Sequence, residues 1–90
     1  MSTVRIPPTL RPATNGAKTV DVAGATVGEV LAGLVAAHPG IEASVLGADG
    51  SLNRFVNIFV NGTDVRHLDE LATPVGPADT VLLLPAMAGG

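Results

Sequence analysis

The sequence predicts a single α+β domain in which one main helix packs on one face of a mixed sheet of four to five strands. Segments with alternating apolar residues, typical of strands, flank one stretch with apolar residues at helical spacing. The 90 residues, 47% of them hydrophobic, are enough for one core and leave no room for a second. One helix on one sheet is the economical way to bury a single apolar helix stripe.

A hairpin is predicted first. Val4 and Ile6 share one face of a strand over residues 3–9, which the consecutive prolines end early or place near a sheet edge. Asn15-Gly16 is a strong hairpin signal because both residues accept a positive φ. Alternation then resumes over residues 18–22 as the second strand.

A helix is predicted over about Val27 to Ala37. Thr26 and Glu29 have the spacing of a capping box, in which the cap alone contributes about 1 kcal/mol. The run His38-Pro39-Gly40 ends the helix. Apolar residues recur along one helical face at Val27, Val30, Leu31, Leu34 and Val35.

The second half of the chain holds a strand with two distinct faces. Residues 55–60 alternate, so that Val56, Ile58 and Val60 lie on one face, and Phe55, Asn57 and Phe59 lie on the other. Asn61-Gly62 predicts a second hairpin, which leads to a short strand over residues 63–66.

The remaining segments connect these elements and complete the sheet. Single helical turns are expected over residues 41–46 and 67–72, loops at 48–50 and 73–77, and a last strand over 80–84 that Pro85 ends. A right-handed crossover is expected to return the chain beside the first hairpin.

The composition excludes several classes of function. Without cysteine the chain has no disulfide or thiolate metal site. A nucleic-acid surface is not expected, because the net charge is −3 and the basic residues are scattered. No signal peptide is recognisable, and the apolar run from Val81 is too short to span a bilayer, so we expect a cytoplasmic protein that does not bind membranes.

Catalytic constellations are also missing from the sequence. His38 and His67 lie in different predicted elements, and a structural role is favoured over a metal site for both. Ser2, Ser44 and Ser51 have no base in view, and no phosphate-binding loop precedes the helix. We therefore expect no catalysis by the chain itself.

The C-terminal segment is unusual in a different way. Residues 86–90 extend to about 17 Å at ~3.3 Å per residue, which is enough to enter the active site of another protein. Gly89-Gly90 has no Cβ, so it passes a narrow channel and adopts backbone angles that other residues avoid. The α-carboxylate is a poor electrophile, so it must be activated before a nucleophile attacks it. A frayed terminus without function is the alternative.

The ending DTVLLLPAMAGG, residues 79–90, resembles that of the ubiquitin-like sulfur carriers of the ThiS/MoaD family. The segments RFVNIFVNGTDVR, residues 54–66, and IPPTLR, residues 6–11, resemble the CysO-like (MoaD-like) branch of that family. The resemblance covers nearly the whole chain and implies a ubiquitin-like β-grasp fold. One departure is Ala78, where the family commonly has glycine, and this leaves the type of that turn open.

The resemblance also implies a reaction cycle centred on Gly90. An E1-like adenylating enzyme of the MoeB/ThiF/MoeZ type would use ATP and Mg²⁺ to activate the Gly90 carboxylate. A rhodanese-type or other sulfur donor would convert it to a thiocarboxylate for a biosynthetic enzyme that makes cysteine or another sulfur-containing metabolite. Residues 1–84 would form the β-grasp domain and 85–90 a flexible tail, with no bound cofactor and a monomeric free state. The tail residues that thread the partner's active site are Pro85, Ala86, Met87, Ala88 and Gly89.

Strand alternation predicts where the enzymes dock. If Val81 and Leu83 face the helix, then Leu82 and Leu84 point outward, and Phe59 does so on its own strand. Exposed apolar side chains beside a functional terminus are typical of a binding patch, although scattered apolar surface residues are common. Three other functions stay open: the small subunit of molybdopterin synthase, a ubiquitin-like modifier joined to lysine through Gly90, and a binding module with an inert tail.

Overall fold

The computed structural model describes residues 1–47, 52–53 and 56–85. The strands and α-helices are β1 (Ser2–Arg5), β2 (Thr19–Val22), α1 (Val27–Ala37), α2 (Glu42–Val45), β3 (Val56–Val60), β4 (Thr63–Asp64) and β5 (Thr80–Pro85). Short 3-10 helices lie between them at Pro8–Thr14, Pro39–Ile41, Val65–His67 and Glu70–Ala72. The α+β prediction is therefore confirmed. The loop expected at 48–50 and the strand residue Phe55 lie outside the described residues.

The five described strands form one mixed sheet in the order β2-β1-β5-β3-β4. β5 is parallel to β1, with Arg5 opposite Leu82, and antiparallel to β3, with Ile58 opposite Leu83. The chain returns beside the first hairpin as predicted, but with β5, since β3, the strand that follows the helices, does not pair with the hairpin. The handedness of the crossover stays a prediction. β5 thus occupies the centre of the sheet.

The core lies between α1 and one face of the sheet. The prediction that Val30, Leu31 and Leu34 face the core is confirmed, since all three are fully buried. The sheet contributes Val4, Val22, Val56, Ile58, Val60, Val81 and Leu83 to the same cluster. This side of the sheet is called the inner face. None of the described helices is long and apolar enough to cross a bilayer.

The start of α1 and its packing follow from particular residues. The Thr26 hydroxyl accepts a hydrogen bond from the Glu29 backbone N–H at 3.2 Å, and the Glu29 carboxylate accepts one from the Ala25 N–H at 3.1 Å. Both bonds satisfy backbone donors that a helix or turn start leaves open. Gly33 allows α1 to approach β2 closely, since a Cβ there would lie 2.6 Å from Val22 Cγ1.

The first hairpin differs from the prediction. β1 and β2 pair in antiparallel fashion, but β1 ends at Arg5 and the 3-10 helix Pro8–Thr14 lies between them. Proline lacks the N–H that a strand ladder needs, and its fixed φ suits the start of a helical turn. Asn15 and Gly16 do have positive φ, at 56° and 82°, but they end this 3-10 helix and do not form a two-residue hairpin loop.

The second hairpin is confirmed, although its second strand is shorter than predicted. Asn61 and Gly62 have φ of 50° and 89°, and they join β3 to β4. β4 stops at Asp64 because the Asp64 carboxylate accepts a hydrogen bond from the Arg66 backbone N–H at 2.8 Å. Such a side-chain cap competes with the strand ladder and starts a 3-10 turn instead.

Candidate functional site

The candidate site is built around β5, the strand that leads into the tail. Val81 and Leu83 of β5 are fully buried on the inner face, and neighbouring strands hold the backbone on both sides. The Pro85 backbone still belongs to the sheet, opposite Val56, so the strand runs one residue past the predicted boundary at 84. The other predicted tail residues, Ala86, Met87, Ala88, Gly89 and Gly90, lie outside the described residues.

The beginning of β5 is fixed by a carboxylate. Asp79 accepts hydrogen bonds from the Gly76 backbone N–H at 2.7 Å and from the Asn61 amide at 2.8 Å. These bonds, the one from Gly76 first, lower the pKa of Asp79 below its usual value because they stabilise the charged form. Asn61 also accepts from the Thr80 N–H, and the Ser2 hydroxyl donates to the Gly76 carbonyl. Hydrogen bonds among three segments of the chain therefore fix the start of β5.

The turn over residues 76–79 also defines the backbone conformation at Ala78. The Asp79 N–H donates to the Gly76 carbonyl at 3.0 Å, which closes a β-turn over these four residues. Among the described non-glycine residues, only Asn15, Asn61 and Glu70 have positive φ. The turn at Ala78 therefore needs no glycine, and its departure from the family pattern causes no backbone strain.

Three apolar side chains lie on the other side of the sheet, the outer face, and are called the outer patch: Phe59, Leu82 and Leu84. Their inward neighbours on β3 and β5 are buried, and strand alternation directs these three away from α1. Phe59 and Leu82 are opposite one another and half-buried, and Leu84 is 42% exposed. The patch reaches to Leu84, which precedes Pro85 at the end of β5. Its role in docking stays a prediction.

A polar cluster missed by the sequence reasoning lies next to this patch. Arg66 donates from Nη1 to Asn57 Oδ1 at 2.8 Å and from Nη2 to the Asn53 carbonyl at 3.1 Å. Asn57 is opposite Leu84 in the sheet, so the guanidinium lies beside the tail end of β5. The available signal was Asn57, a polar residue between buried neighbours on an otherwise apolar strand.

The other candidate residues have structural positions. His38 caps the C-terminal end of α1 through its backbone N–H, which donates to the Leu34 carbonyl, and His67 is exposed at the end of a 3-10 turn. Ser44 is half-buried in α2, and Ser51 lies outside the described residues. Within the described ranges, no three His, Asp or Glu side chains converge as metal ligands would.

The chain is similar to known proteins over nearly its whole length. The family model described as the ThiS family matches residues 4–90. The sulfur carrier protein CysO of Mycobacterium tuberculosis is 47% identical over 90 residues, which is 98% of this chain and 97% of that protein. Small archaeal modifier protein 1 of Haloferax volcanii is 46% identical over 72 residues, 79% of this chain and 78% of that protein.

Solved structures show the same fold. A chain of the Amycolatopsis orientalis BexX/CysO complex superposes with a TM-score of 0.92 at 42% identity, with both chains fully covered. The crystal structure of Mycobacterium tuberculosis CysO has a TM-score of 0.89 at 44% identity and covers 97% of this chain and all of the other. The predicted β-grasp fold is confirmed. Over nearly its whole length, the chain belongs to the ThiS family of ubiquitin-like sulfur carriers, in its CysO-like branch.

Proposed function

We propose that this chain carries sulfur as a thiocarboxylate on the α-carbonyl of Gly90. The observation that carries the proposal is the family match, which runs through the Gly-Gly sequence to residue 90, together with close relatives that are sulfur carrier proteins. The position of β5 is consistent with it. A strand that is paired on both sides and fixed at Asp79 gives the residues that follow it a rigid base.

With sulfide as the sulfur donor, formation of the thiocarboxylate takes two nucleophilic substitution reactions. The Gly90 carboxylate attacks the α-phosphorus of ATP on an E1-like enzyme, which releases pyrophosphate and leaves an acyl adenylate. Sulfur from sulfide then attacks the acyl carbon, and AMP leaves with the electron pair of the broken C–O bond. A persulfide donor, such as a rhodanese-type enzyme, first gives an acyl disulfide, which a thiol reduces to the thiocarboxylate. ATP and Mg²⁺ belong to the activating enzyme.

The folded domain is the part of the chain that the activating enzyme recognises. The outer patch of Phe59, Leu82 and Leu84 adjoins the tail, so an enzyme that binds the patch also receives the terminus. Gly89 and Gly90 pass a channel too narrow for larger side chains. Binding energy collected at the globule offsets the entropy of ordering the tail in the enzyme's active site.

The sulfur acceptor is a second partner. The BexX/CysO complex is a structure in which a similar carrier is bound to another protein. By analogy, a biosynthetic enzyme that forms a C–S bond takes sulfur from Gly90 of this chain. A molybdopterin synthase large subunit is an alternative acceptor, and co-purification as a tight heterodimer would favour it.

The test is mass spectrometry of the protein from its native host and after reconstitution. Intact mass shows whether the mature chain ends at Gly90. Incubation with an E1-like enzyme, ATP, Mg²⁺ and sulfide should then exchange one oxygen for sulfur in the C-terminal peptide. The exchange should fail without ATP. Complete reconstitution without that exchange would contradict the proposal.

Variants of the tail give matched controls. Deletion of Gly89 and Gly90 should leave the free energy of unfolding nearly unchanged, as is common when residues are removed from a chain end, and should abolish adenylation. One residue added after Gly90 should have the same effect unless a protease removes it. Replacement of Gly90 by leucine should impair adenylation, because the side chain obstructs the channel. Equal adenylation of full-length and truncated chains would mean that the tail is inert.

A second candidate function is protein modification, which the similarity to small archaeal modifier proteins 1 and 3 favours. Here the activated Gly90 acyl group is joined to a lysine amine of another protein. Peptide mapping of higher-mass species would then find the C-terminal peptide of this chain on acceptor lysines. Lys18 is the only lysine, so long self-linked chains are not expected.

A further inference from the structure

Among the described residues, the side chain of Arg66 forms no ion pair, although the Asp64 carboxylate accepts from its backbone N–H. Its guanidinium is held by the Asn57 side-chain oxygen and the Asn53 backbone carbonyl, and both acceptors are neutral. A guanidinium has five N–H donors, of which two are used within the described part of the chain. The contacts therefore fix the direction of the group and leave its positive charge and remaining donors available.

The guanidinium of Arg66 lies beside the end of β5 that leads into the tail. Asn57 is opposite Leu84, the exposed member of the outer patch and the last described side chain of β5. On the other side of β5, the exposed Arg5 is opposite Leu82. The acidic residues Asp21 and Asp79 lie at the far end of β5, beside Thr3 and Thr80. Asp64 is nearer, since it is opposite Phe59 and its carboxylate accepts from the Arg66 backbone N–H. The row through Leu82 and Phe59 thus ends in a basic residue on one side and in Asp64 on the other. The next row toward the tail holds Leu84 beside the Asn57 and Arg66 pair, although the whole chain has a net charge of −3.

We propose that Arg66 binds an aspartate or glutamate carboxylate on the adenylating enzyme and so acts as a specificity-determining contact. This inference rests on the proposed function, because it assumes that an enzyme covers the outer patch. A fixed guanidinium matches a carboxylate through two parallel N–H donors, and a group already held in place loses little entropy on binding. Leu84 beside it excludes water from the contact, which strengthens the electrostatic attraction.

The competing explanation is that Arg66 only ties β4 to the start of β3. Two variants separate these roles. Arg66→Gln removes both the charge and much of the tie. Asn57→Asp keeps the tie, because the new carboxylate still accepts from the guanidinium, but it neutralises the charge within the carrier. Ala32→Glu adds the same negative charge on the exposed side of α1, away from the sheet, and serves as the control.

The measurement is ATP–pyrophosphate exchange by the E1-like enzyme as a function of carrier concentration. Both Arg66→Gln and Asn57→Asp should raise the KM for the carrier roughly tenfold, with kcat little changed, because a charge pair contributes to binding and not to the chemical step. Ala32→Glu should leave the KM near the wild-type value. The wild-type KM should rise with salt more steeply than the KM of either outer-face variant.

The melting temperature of each variant shows any loss of stability, which is the effect expected if Arg66 has a purely structural role. If Arg66 is only a tie, Asn57→Asp should keep both the melting temperature and the KM of the wild type, and that result would overturn the inference. A KM rise in Arg66→Gln alone, accompanied by a lower melting temperature, would overturn it as well. Failure of the wild-type chain to support exchange would instead contradict the proposed function, so the two failures are distinguishable.

Discussion

The two faces of the sheet carry different kinds of side chain. On the inner face, Val4, Ile58, Val81 and Leu83 are completely buried against the helix, and the buried Ser2 at the end of this face donates to the Gly76 carbonyl. On the outer face of the same strands, apolar side chains lie beside Arg5 and Asn57, and Asn57 accepts a hydrogen bond from Arg66 of the 3-10 helix Val65–His67. Folding alone explains the first pattern, since it removes apolar surface from water.

Folding does not explain the second pattern. A solvent-facing sheet surface is expected to be polar, whereas Leu84 is 42% exposed and continues into the half-buried pair of Phe59 and Leu82. Apolar groups beside an oriented cation are typical of a surface that another protein covers. The difference between the faces therefore separates the residues that hold the molecule together from those that we expect to contact its enzymes.

The largest effect should come from the inner face. Ile58→Ala removes a fully buried side chain from the middle of β3 and should lower the free energy of unfolding by about 2–5 kcal/mol, since the transfer and cavity costs add. Urea denaturation monitored by circular dichroism measures this. Ala36→Ser on the exposed side of α1 is the control and should change stability little. A loss below 1 kcal/mol for Ile58→Ala would mean that the inner face is not the main source of stability.

The outer face should respond in the opposite way. The double variant Phe59→Ala, Leu84→Ala should weaken binding to the activating enzyme, by about 1–3 kcal/mol for each anchor, and should reduce stability less than Ile58→Ala does. The apparent affinity in ATP–pyrophosphate exchange and the urea midpoint give the two values. Unchanged exchange kinetics in the double variant would show that the enzymes dock elsewhere.

The smallest effect concerns the start of β5. The pKa of Asp79 is lowered in the folded state from 3.8, so the unfolded chain binds its proton more readily. This contribution to stability is complete above the unfolded pKa and is lost as the pH falls through the folded pKa. The wild-type melting temperature should therefore fall below about pH 4 more than that of Asp79→Asn, which has no proton to bind at this position. Parallel pH profiles of the two proteins would contradict this role.

The sequence predicted the elements whose signals are local. The helix Val27–Ala37 followed from the capping box and the apolar stripe, and the Asn61-Gly62 turn followed from its need for positive φ. The 3-10 helix Pro8–Thr14 was not predicted, because strand alternation and proline-rich turns overlap in that segment. β4 was predicted too long, because the cap by Asp64 became evident only in three dimensions.

The candidate site was predicted unevenly for a similar reason. Alternation along β3 and β5 is enough to place Phe59, Leu82 and Leu84 on one side. It does not reveal that Arg66 turns back to Asn57, since nine positions separate them and a 3-10 turn sets the direction. Contacts between a turn and a distant strand depend on register, which no single segment encodes.

The central place of β5 also has a consequence for how the protein is made. β1 and β3 lie on either side of β5 and are not paired with each other, so the sheet is incomplete until this last strand inserts. Without residues 80–85, the chain therefore has two unpaired strand edges, on β1 and β3, and its core lacks Val81 and Leu83. Folding must then close long-range pairs late, which is slow compared with forming local contacts. The strand proposed to present the reactive terminus would thus also be the one that completes the sheet.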